Sequence, residues 1–192
     1  MAKVIYTYNN QILKSTDNEW YTEPGPSSDE VTIGTQTWKI KNLAINDGQG
    51  GISTQTVNYG QGNVTEYYYT WDAAVRVAAS IPGWHLPTNS EWDALASAVG
   101  GRSTAGTKLK STYGWESGGN GTDDYGFSVF PAGNWVRTSF YNLGTWARFW
   151  TANESSSTQA YSYFYSNTSN TQSSSTYNKT THSLSVRLVK DA

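Results

Sequence analysis

A chain of 192 residues with a net charge of −2, a pI near 5.6 and 36% hydrophobic residues can bury one substantial core, and it offers no basic footprint for nucleic acid or an anionic membrane. It contains no cysteine, which excludes disulfides, thiolate metal sites and cysteine nucleophiles. Nine tryptophans and fourteen tyrosines against a single methionine indicate loop-rich β structure in which aromatics replace aliphatics.

Residues 3–8 alternate as a short strand, and Asn9-Asn10-Gln11 reads as a turn before Ile12-Leu13. The polar stretch from Ser15 to Asp29, with Pro24-Gly25-Pro26 inside it, reads as a linker. The organisation expected is an arm over residues 1–30, through which copies of the chain could associate, and one domain over 31–192. No apolar run of the secretory-signal kind opens the chain, and no window approaches membrane-spanning length, so membrane insertion is not expected.

Residues 31–43 alternate on both sides of Gly34-Thr35 as a hairpin, with Val31, Ile33, Trp38, Ile40 and Leu43 as core candidates. The loop from Asn46 to Gly51 lacks the alternating carboxylates of a calcium-binding EF-hand and reads as a turn. Thr70 is the expected N-cap of a helix whose buried stripe is Ala74, Val77, Ala78 and Ile81, stopped by Pro82-Gly83. Thr88 with Glu91 forms a capping box that opens a second helix, with Trp92, Leu95, Ala96 and Val99 on one face and Gly100-Gly101 at its end. Asp123 and Asp124 could be metal ligands or paired acids, but on a Gly/Asn loop Asx turns are expected. At the other end, residues 183–189 alternate Leu184, Val186 and Leu188 inward as an amphipathic closing strand.

Between these lies the stretch from Trp135 to His182, dominated by Ser, Thr, Asn and Tyr and nearly free of aliphatics. Burial of apolar surface, worth about 25 cal/mol per Å², offsets ordering entropy, so such a segment needs a scaffold built from other residues. Residues 160–166 alternate at strand period and place Tyr161, Tyr163 and Tyr165 on one face. Tyrosine with serine and asparagine is the mixture antibody loops use for recognition.

Several pieces occur together in a fixed order: Ile33-Gly-Thr-Gln-Thr-Trp with Lys41-Asn-Leu, Tyr69-Thr-Trp-Asp-Ala-Ala, Gly83-Trp-His-Leu-Pro-Thr with Glu91-Trp, Gly106-Thr-Lys-Leu-Lys-Ser, Gly121-Thr-Asp-Asp-Tyr-Gly-Phe-Ser, Phe149-Trp-Thr-Ala and Ser185-Val-Arg-Leu-Val. The chain they define resembles the Fibrobacter succinogenes major paralogous domain family over about residues 31–190. The resemblance implies an α+β, C-type-lectin-like fold related to the formylglycine-generating-enzyme group, with small twisted antiparallel sheets, two short helices and long irregular loops. It also implies a binding surface on the later strands, since some relatives are variable proteins of diversity-generating retroelements. In those, adenine-directed mutagenesis rewrites codons near the C-terminus. An AAC codon can become Tyr, Ser, Asn, Thr, Phe, Arg, His or Asp, among others, but not Lys, Glu, Trp or Gln, and most of residues 139–182 are of the first kind. Trp146, Trp150 and Gln172 depart from the set, and His182 stands where the family usually has glycine.

The function expected is a ligand-binding module with its variable region at about 135–182, displayed on a virion or cell surface and meeting a protein or glycan ligand there. Aromatic and arginine anchors dominate interface energetics. The contact residues expected are therefore Trp135, Arg137, Tyr141, Trp146, Arg148, Tyr161, Tyr163, Tyr165, Ser173, Ser175, Tyr177 and His182, with Trp135, Trp146 and Trp150 alternatively simple core. A carbohydrate-binding lectin-like module of a cell-surface protein is the second reading, although the sequence has no calcium-ligand tripeptide of the Glu-Pro-Asn or Gln-Pro-Asp type. An enzyme is not expected. Formylglycine-generating chemistry needs a cysteine pair, and His85, inside Trp-His-Leu-Pro, reads as a packing residue. No metal or cofactor is expected.

Overall fold

The computed structural model describes residues 29–190 and, ahead of them, the backbone of three strands: β1 (Tyr6–Tyr8), β2 (Gln11–Thr16) and β3 (Glu19–Thr22). The chain divides into two compact units, residues 1–30 and 31–192. In the first, the strands form an antiparallel sheet in the order β1-β2-β3, with Tyr8 opposite Gln11 and Thr16 opposite Glu19. β3 falls inside the stretch the sequence reads as linker. Its Trp-Tyr-Thr run suits a pleated strand, and that outweighs its polar neighbours. The Asn9-Asn10 turn and the Pro24-Gly25-Pro26 cluster lie outside the described residues.

The second unit is α+β, built from small antiparallel sheets and three helices. β4 (Glu30–Ile33) and β5 (Gln36–Lys39) form the expected hairpin, and Gly34 supplies the positive φ of +62° its turn requires. Ile33, Trp38 and Leu43 are buried, while Val31 and Ile40 are half-buried. β6 (Ile52–Asn58) and β7 (Asn63–Tyr69) pair along their whole length, and β7 runs directly into α1 (Trp71–Ala79). Thr70 takes the N-cap position of α1 without a side-chain cap bond. Ala74, Val77 and Ala78 are buried, and Ile81 is half-buried past the helix end.

β8 (Trp84–His85) leads to α2 (Asn89–Ala98), which opens on the capping box: Thr88 Oγ1 accepts from Glu91 N at 3.3 Å, and the Glu91 carboxylate accepts from Thr88 N at 2.7 Å. Trp92, Leu95, Ala96 and Val99 are all buried, as their spacing predicts. Beyond Gly100-Gly101 comes a third helix, α3 (Arg102–Leu109), where the sequence suggests none. Its apolar spacing is weak, and Gly106 in its middle costs about 1 kcal/mol relative to alanine. Tertiary contacts override that penalty: Gly106 N donates to Asn170 O at 2.8 Å.

The later half contributes two three-stranded sheets. One contains β9 (Asn134–Val136) and β10 (Ser139–Tyr141); the other contains β11 (Trp146–Glu154), β12 (Gln159–Ser166) and β13 (Ser173–Asn178). The chain closes with β14 (His182–Ser183), which pairs with β9, and β15 (Val189–Lys190), which lies between β5 and β8. The closing segment is not the amphipathic strand its alternation suggests. Every residue from Ser183 to Val189 is buried, Ser185 and Arg187 as fully as Leu184 and Val186. It threads the interior, bridging Tyr69 at Leu184 and Phe149 at Ser185, with Leu188 O accepting from Lys39 N at 2.9 Å.

Two clusters make most of the core. One gathers Trp38, Trp92, Leu95, Phe127, Phe149, Tyr163 and Tyr165 around α2, and the other gathers Tyr69, Trp71, Val77, Trp150, Ala160 and Leu184 around α1. The β11-β12-β13 sheet supplies residues to both.

Candidate ligand-binding face

Side chains of directly opposed residues share a sheet face, so the register of β11, β12 and β13 sorts the candidate residues. Ala147 lies opposite Tyr165, and Phe149 opposite Tyr163. All four are buried, with Tyr163 at 2% and Tyr165 at 0% exposure. The tyrosine face expected to meet a ligand is therefore the inner one. Tyr163 donates to Asp93 Oδ1 at 2.8 Å and accepts from Arg102 Nη2 at 2.8 Å. Tyr165 donates to Gln172 Oε1 at 2.6 Å, and Gln172 Nε2 donates to Trp92 O at 3.0 Å. Burial pushes both phenols well above their ordinary range. Tyr163 and Tyr165 are thus withdrawn as contacts. Tyr161 shares their parity, opposite Thr176, and is half-buried. The period of the strand is as predicted and its sidedness is reversed, because tyrosine fills a core as readily as it lines an interface.

The opposite parity sets Arg148 beside Phe164 and Phe164 beside Ser173, then Trp150 beside Ser162 and Ser162 beside Ser175, and Ala160 beside Tyr177. At one end this outer face is closed, since Trp150 and Ala160 are buried in the cluster around α1 and Trp150 Nε1 donates to Tyr69 O at 2.7 Å. Trp150 and Gln172, two of the residues outside the AAC-derived set, are accordingly structural. The other end is open, with Trp146, Arg148, Phe164, Ser173, Ser175 and Tyr177 half-buried.

There the guanidinium of Arg148 lies over the rings of Trp146 (4.6 Å) and Tyr177 (5.1 Å). Trp146 leans on Phe164 with ring centroids 5.2 Å apart, and Tyr177 on His182 at 5.0 Å. Arg148 Nη1 donates to Oδ1 of the fully buried Asn134, which also accepts from Asn142 Nδ2, each at 2.8 Å. Burial lowers the Arg148 pKa, and burial with the neighbouring charges of Arg148 and Arg137 lowers that of His182. Phe164 and Asn134 belong to this constellation, and the sequence did not mark them. The parity of β12 would have exposed Phe164 once its tyrosines were assigned inward.

The sheet of β10, β9 and β14 borders this face. Its hairpin turns at Arg137, exposed with φ of +53°, whose N–H donates to Thr181 O at 2.7 Å. His182 pairs with Val136 in β9, and Tyr141 is 51% exposed on β10. Trp135 is half-buried against Phe140, with centroids 5.7 Å apart, beside the small cluster of Val57, Tyr59, Tyr68 and Ala132, so its ring is packing. Trp146, Arg148, Ser173, Ser175 and Tyr177 thus share one face with His182 at its margin, and Tyr161, Tyr163, Tyr165 and Trp135 do not join it.

The isolated polar residues have local roles. His85 Nε2 lies 2.7 Å from Glu91 Oε1, Asp123 Oδ1 accepts from Ser128 N at 2.8 Å, and Asp47 pairs with Arg76 at 2.7 Å. Among the described residues no cluster of three or more His, Asp or Glu side chains could hold a metal, and no helix is long and apolar enough to cross a membrane.

The model of the Fibrobacter succinogenes major domain matches residues 31–190. The chain belongs to that family. No curated protein and no solved structure matches it. In this Fibrobacter major domain the matched span runs from β4 to β15, so scaffold and open face lie within the family unit.

The domain also has a cavity of about 340 Å³, walled by Ile40, Tyr59, Val64, Tyr113 and Phe130. At its polar side Glu66 accepts from Tyr59 and Asn42, each at 3.0 Å, and Asn42 Oδ1 accepts from Arg187 Nε at 3.1 Å. Arg187 also donates to the carbonyls of Lys39, Phe127 and Ser128. Full burial still pushes its pKa down to about 10. This relay ties the closing segment to β5 and β7, a structural use of a buried charge.

Proposed function

We propose that this Fibrobacter major domain is a ligand-binding module for receptor binding or adhesion at a virion or cell surface, with a C-type-lectin-like scaffold and a variable region of the diversity-generating-retroelement kind. The observation that carries the reading is the division of the β11-β12-β13 sheet. Its inner tyrosines are hydrogen-bonded to α2 and the segment before β13, whereas its outer end displays Trp146, Arg148, Phe164 and Tyr177 among serines, half-exposed and clear of both main cores apart from the edge of Tyr177. Large rings and a guanidinium on a rigid sheet can exchange neighbours without disturbing the fold, which is what a diversified recognition surface requires.

Selection of a random peptide display library on the domain tests the reading. Selected peptides are expected to bind the wild-type domain and a Val64→Arg variant at the cavity, and to lose binding to a Phe164→Ser/Ser173→Glu variant. Peptides indifferent to the second variant would refute it. Diversification has its own test, a near-duplicate of the 3′ coding segment that differs at template adenines beside a reverse-transcriptase gene.

A further inference from the structure

Charge is distributed unevenly along this chain. Overall, fifteen carboxylates outnumber thirteen lysines and arginines. Between residues 125 and 190, however, Glu154 is the sole carboxylate, against Arg137, Arg148, Lys179, Arg187 and Lys190. Glu154 is engaged by Lys179 at 2.6 Å. The open face therefore has arginines without any acid of its own segment to neutralise them.

Arg148 is the focus. Its guanidinium is held between two aromatic rings, one nitrogen is fixed by Asn134, and no carboxylate of the described residues pairs with it. Its Nε is buried and has no acceptor. A partly desolvated guanidinium is costly to keep without a counter-charge, and a carboxylate meeting its terminal nitrogens would supply one. Arg137, whose N–H donates to Thr181 O next to His182, and Arg148 both lie close enough to depress the imidazole, so positive charge converges from the β9-β10 turn and β11 on a neutral ring. The rings are not free platforms: Arg148 lies over both Trp146 and Tyr177, which removes stacking area that a sugar would use.

We propose that the open face takes an acidic segment of a partner protein, an aspartate or glutamate carboxylate docking on Arg148 with Arg137 and His182 flanking it and Ser173 and Ser175 supplying hydroxyls. This rests on the ligand-binding reading above and names the chemistry of its ligand. The net charge of −2 disfavours acidic partners at long range, so preference for one must come from this patch.

The same peptide selection provides the test, followed by a double-mutant cycle. Selected peptides that depend on the face are expected to be enriched in Asp and Glu. Arg148→Gln and the Asp→Asn or Glu→Gln change in the peptide should each weaken binding by about tenfold or more, and by little further when combined. Arg148→Lys should restore only part of the loss, because an ammonium keeps the charge but not the planar packing between the Trp146 and Tyr177 rings. The peptide-side change needs no protein variant, so it stands even if Arg148→Gln perturbs folding. Face-dependent peptides without acid enrichment, or an additive cycle, would overturn this inference and leave the ligand-binding reading intact. Peptides that ignore the face would overturn both. Displacement of the peptides by glucuronate at lower concentration than by N-acetylglutamate would overturn the protein-segment assignment in favour of an acidic sugar.

Discussion

Tyr163 lies nearly parallel to Trp92, with ring centroids 5.7 Å apart and planes 12° from coplanar, so a residue of the serine-rich half is stacked on the central tryptophan of α2. Its hydroxyl joins Asp93, Asn89 O and Arg102. Tyr163→Phe keeps the ring and loses that network, and should cost about 1–2 kcal/mol in urea unfolding. Tyr163→Ala should cost about 3–5 kcal/mol. Phe164→Ser, on the next residue but the outer face, should stay within about 1 kcal/mol of wild type. Equal losses at 163 and 164 would contradict the assignment of faces.

Gln172 spans Tyr165 and Trp92 O through its two amide atoms, and it is fully buried. Gln172→Leu leaves the buried Tyr165 hydroxyl without a partner and removes the second bond to Trp92 O, and is expected to destabilise the domain by about 1–3 kcal/mol. In a displayed library randomised over residues 135–182, positions 163, 165 and 172 should be depleted of substitutions among folded clones. Positions 164, 173 and 175 should tolerate them, and a flat profile across these six would count against a scaffold running through the variable segment.

Elements with a local signature were legible in the sequence. The capping box of α2, its stripe from Trp92 to Val99, the Gly34 hairpin and the family motifs all act through short-range geometry and are found where expected. What failed depended on which side a neighbour covers. Alternation specified that Tyr161, Tyr163 and Tyr165 share a face, but α2 decides that the face is inward, and α2 lies some seventy residues away in sequence. Ser185 and Arg187 alternate with aliphatics as though solvent-facing, yet the closing segment is enclosed on both sides and buries them. Arg187 can be buried because carbonyls of Lys39, Phe127 and Ser128 converge on it, a tertiary fact with no trace in spacing. Of the candidate face, residue type pointed to Arg148 and Trp146 but equally to Trp135, whose ring is packing, and Phe164 was hidden by its tyrosine neighbours.

His182 carries a pH dependence whose sign follows from its surroundings. Burial, then Arg148, then Arg137 lower its pKa in the folded domain below the ordinary histidine value of 6.5. Between the folded and unfolded values the unfolded chain holds more protons, so this residue's contribution falls as pH drops through that window and is flat above it. The difference in urea midpoint between wild type and His182→Gln, followed from about pH 7.5 to 5, should therefore move against wild type on acidification. Arg137→Gln should raise the His182 pKa measured by NMR. A His182 pKa at or above 6.5 in the wild type would show that the arginines do not act on the ring.

Gly106 gives a prediction opposite to helix propensity. Alanine in a helix interior is ordinarily favoured over glycine by about 1 kcal/mol. At this position in α3, a Cβ would stand 2.5 Å from Asn170 O and 2.6 Å from Asn170 C, backbone atoms that cannot rotate away. The same carbonyl accepts from Gly106 N at 2.8 Å, and Lys110 Nζ donates to Ser166 O and Ser169 O at 3.0 and 3.1 Å. α3 is thus pressed against the connection between β12 and β13 and fixes where β13 begins. Gly106→Ala should destabilise by roughly 1–3 kcal/mol as the backbones are forced apart, while Ser103→Ala on the exposed side of the same helix should stabilise by about 0.5 kcal/mol. Because the displaced connection leads into Ser173 and Ser175, Gly106→Ala should also weaken peptide binding at the open face without touching it. A Gly106→Ala domain as stable as Ser103→Ala would mean that the β12-β13 connection does not rest on α3.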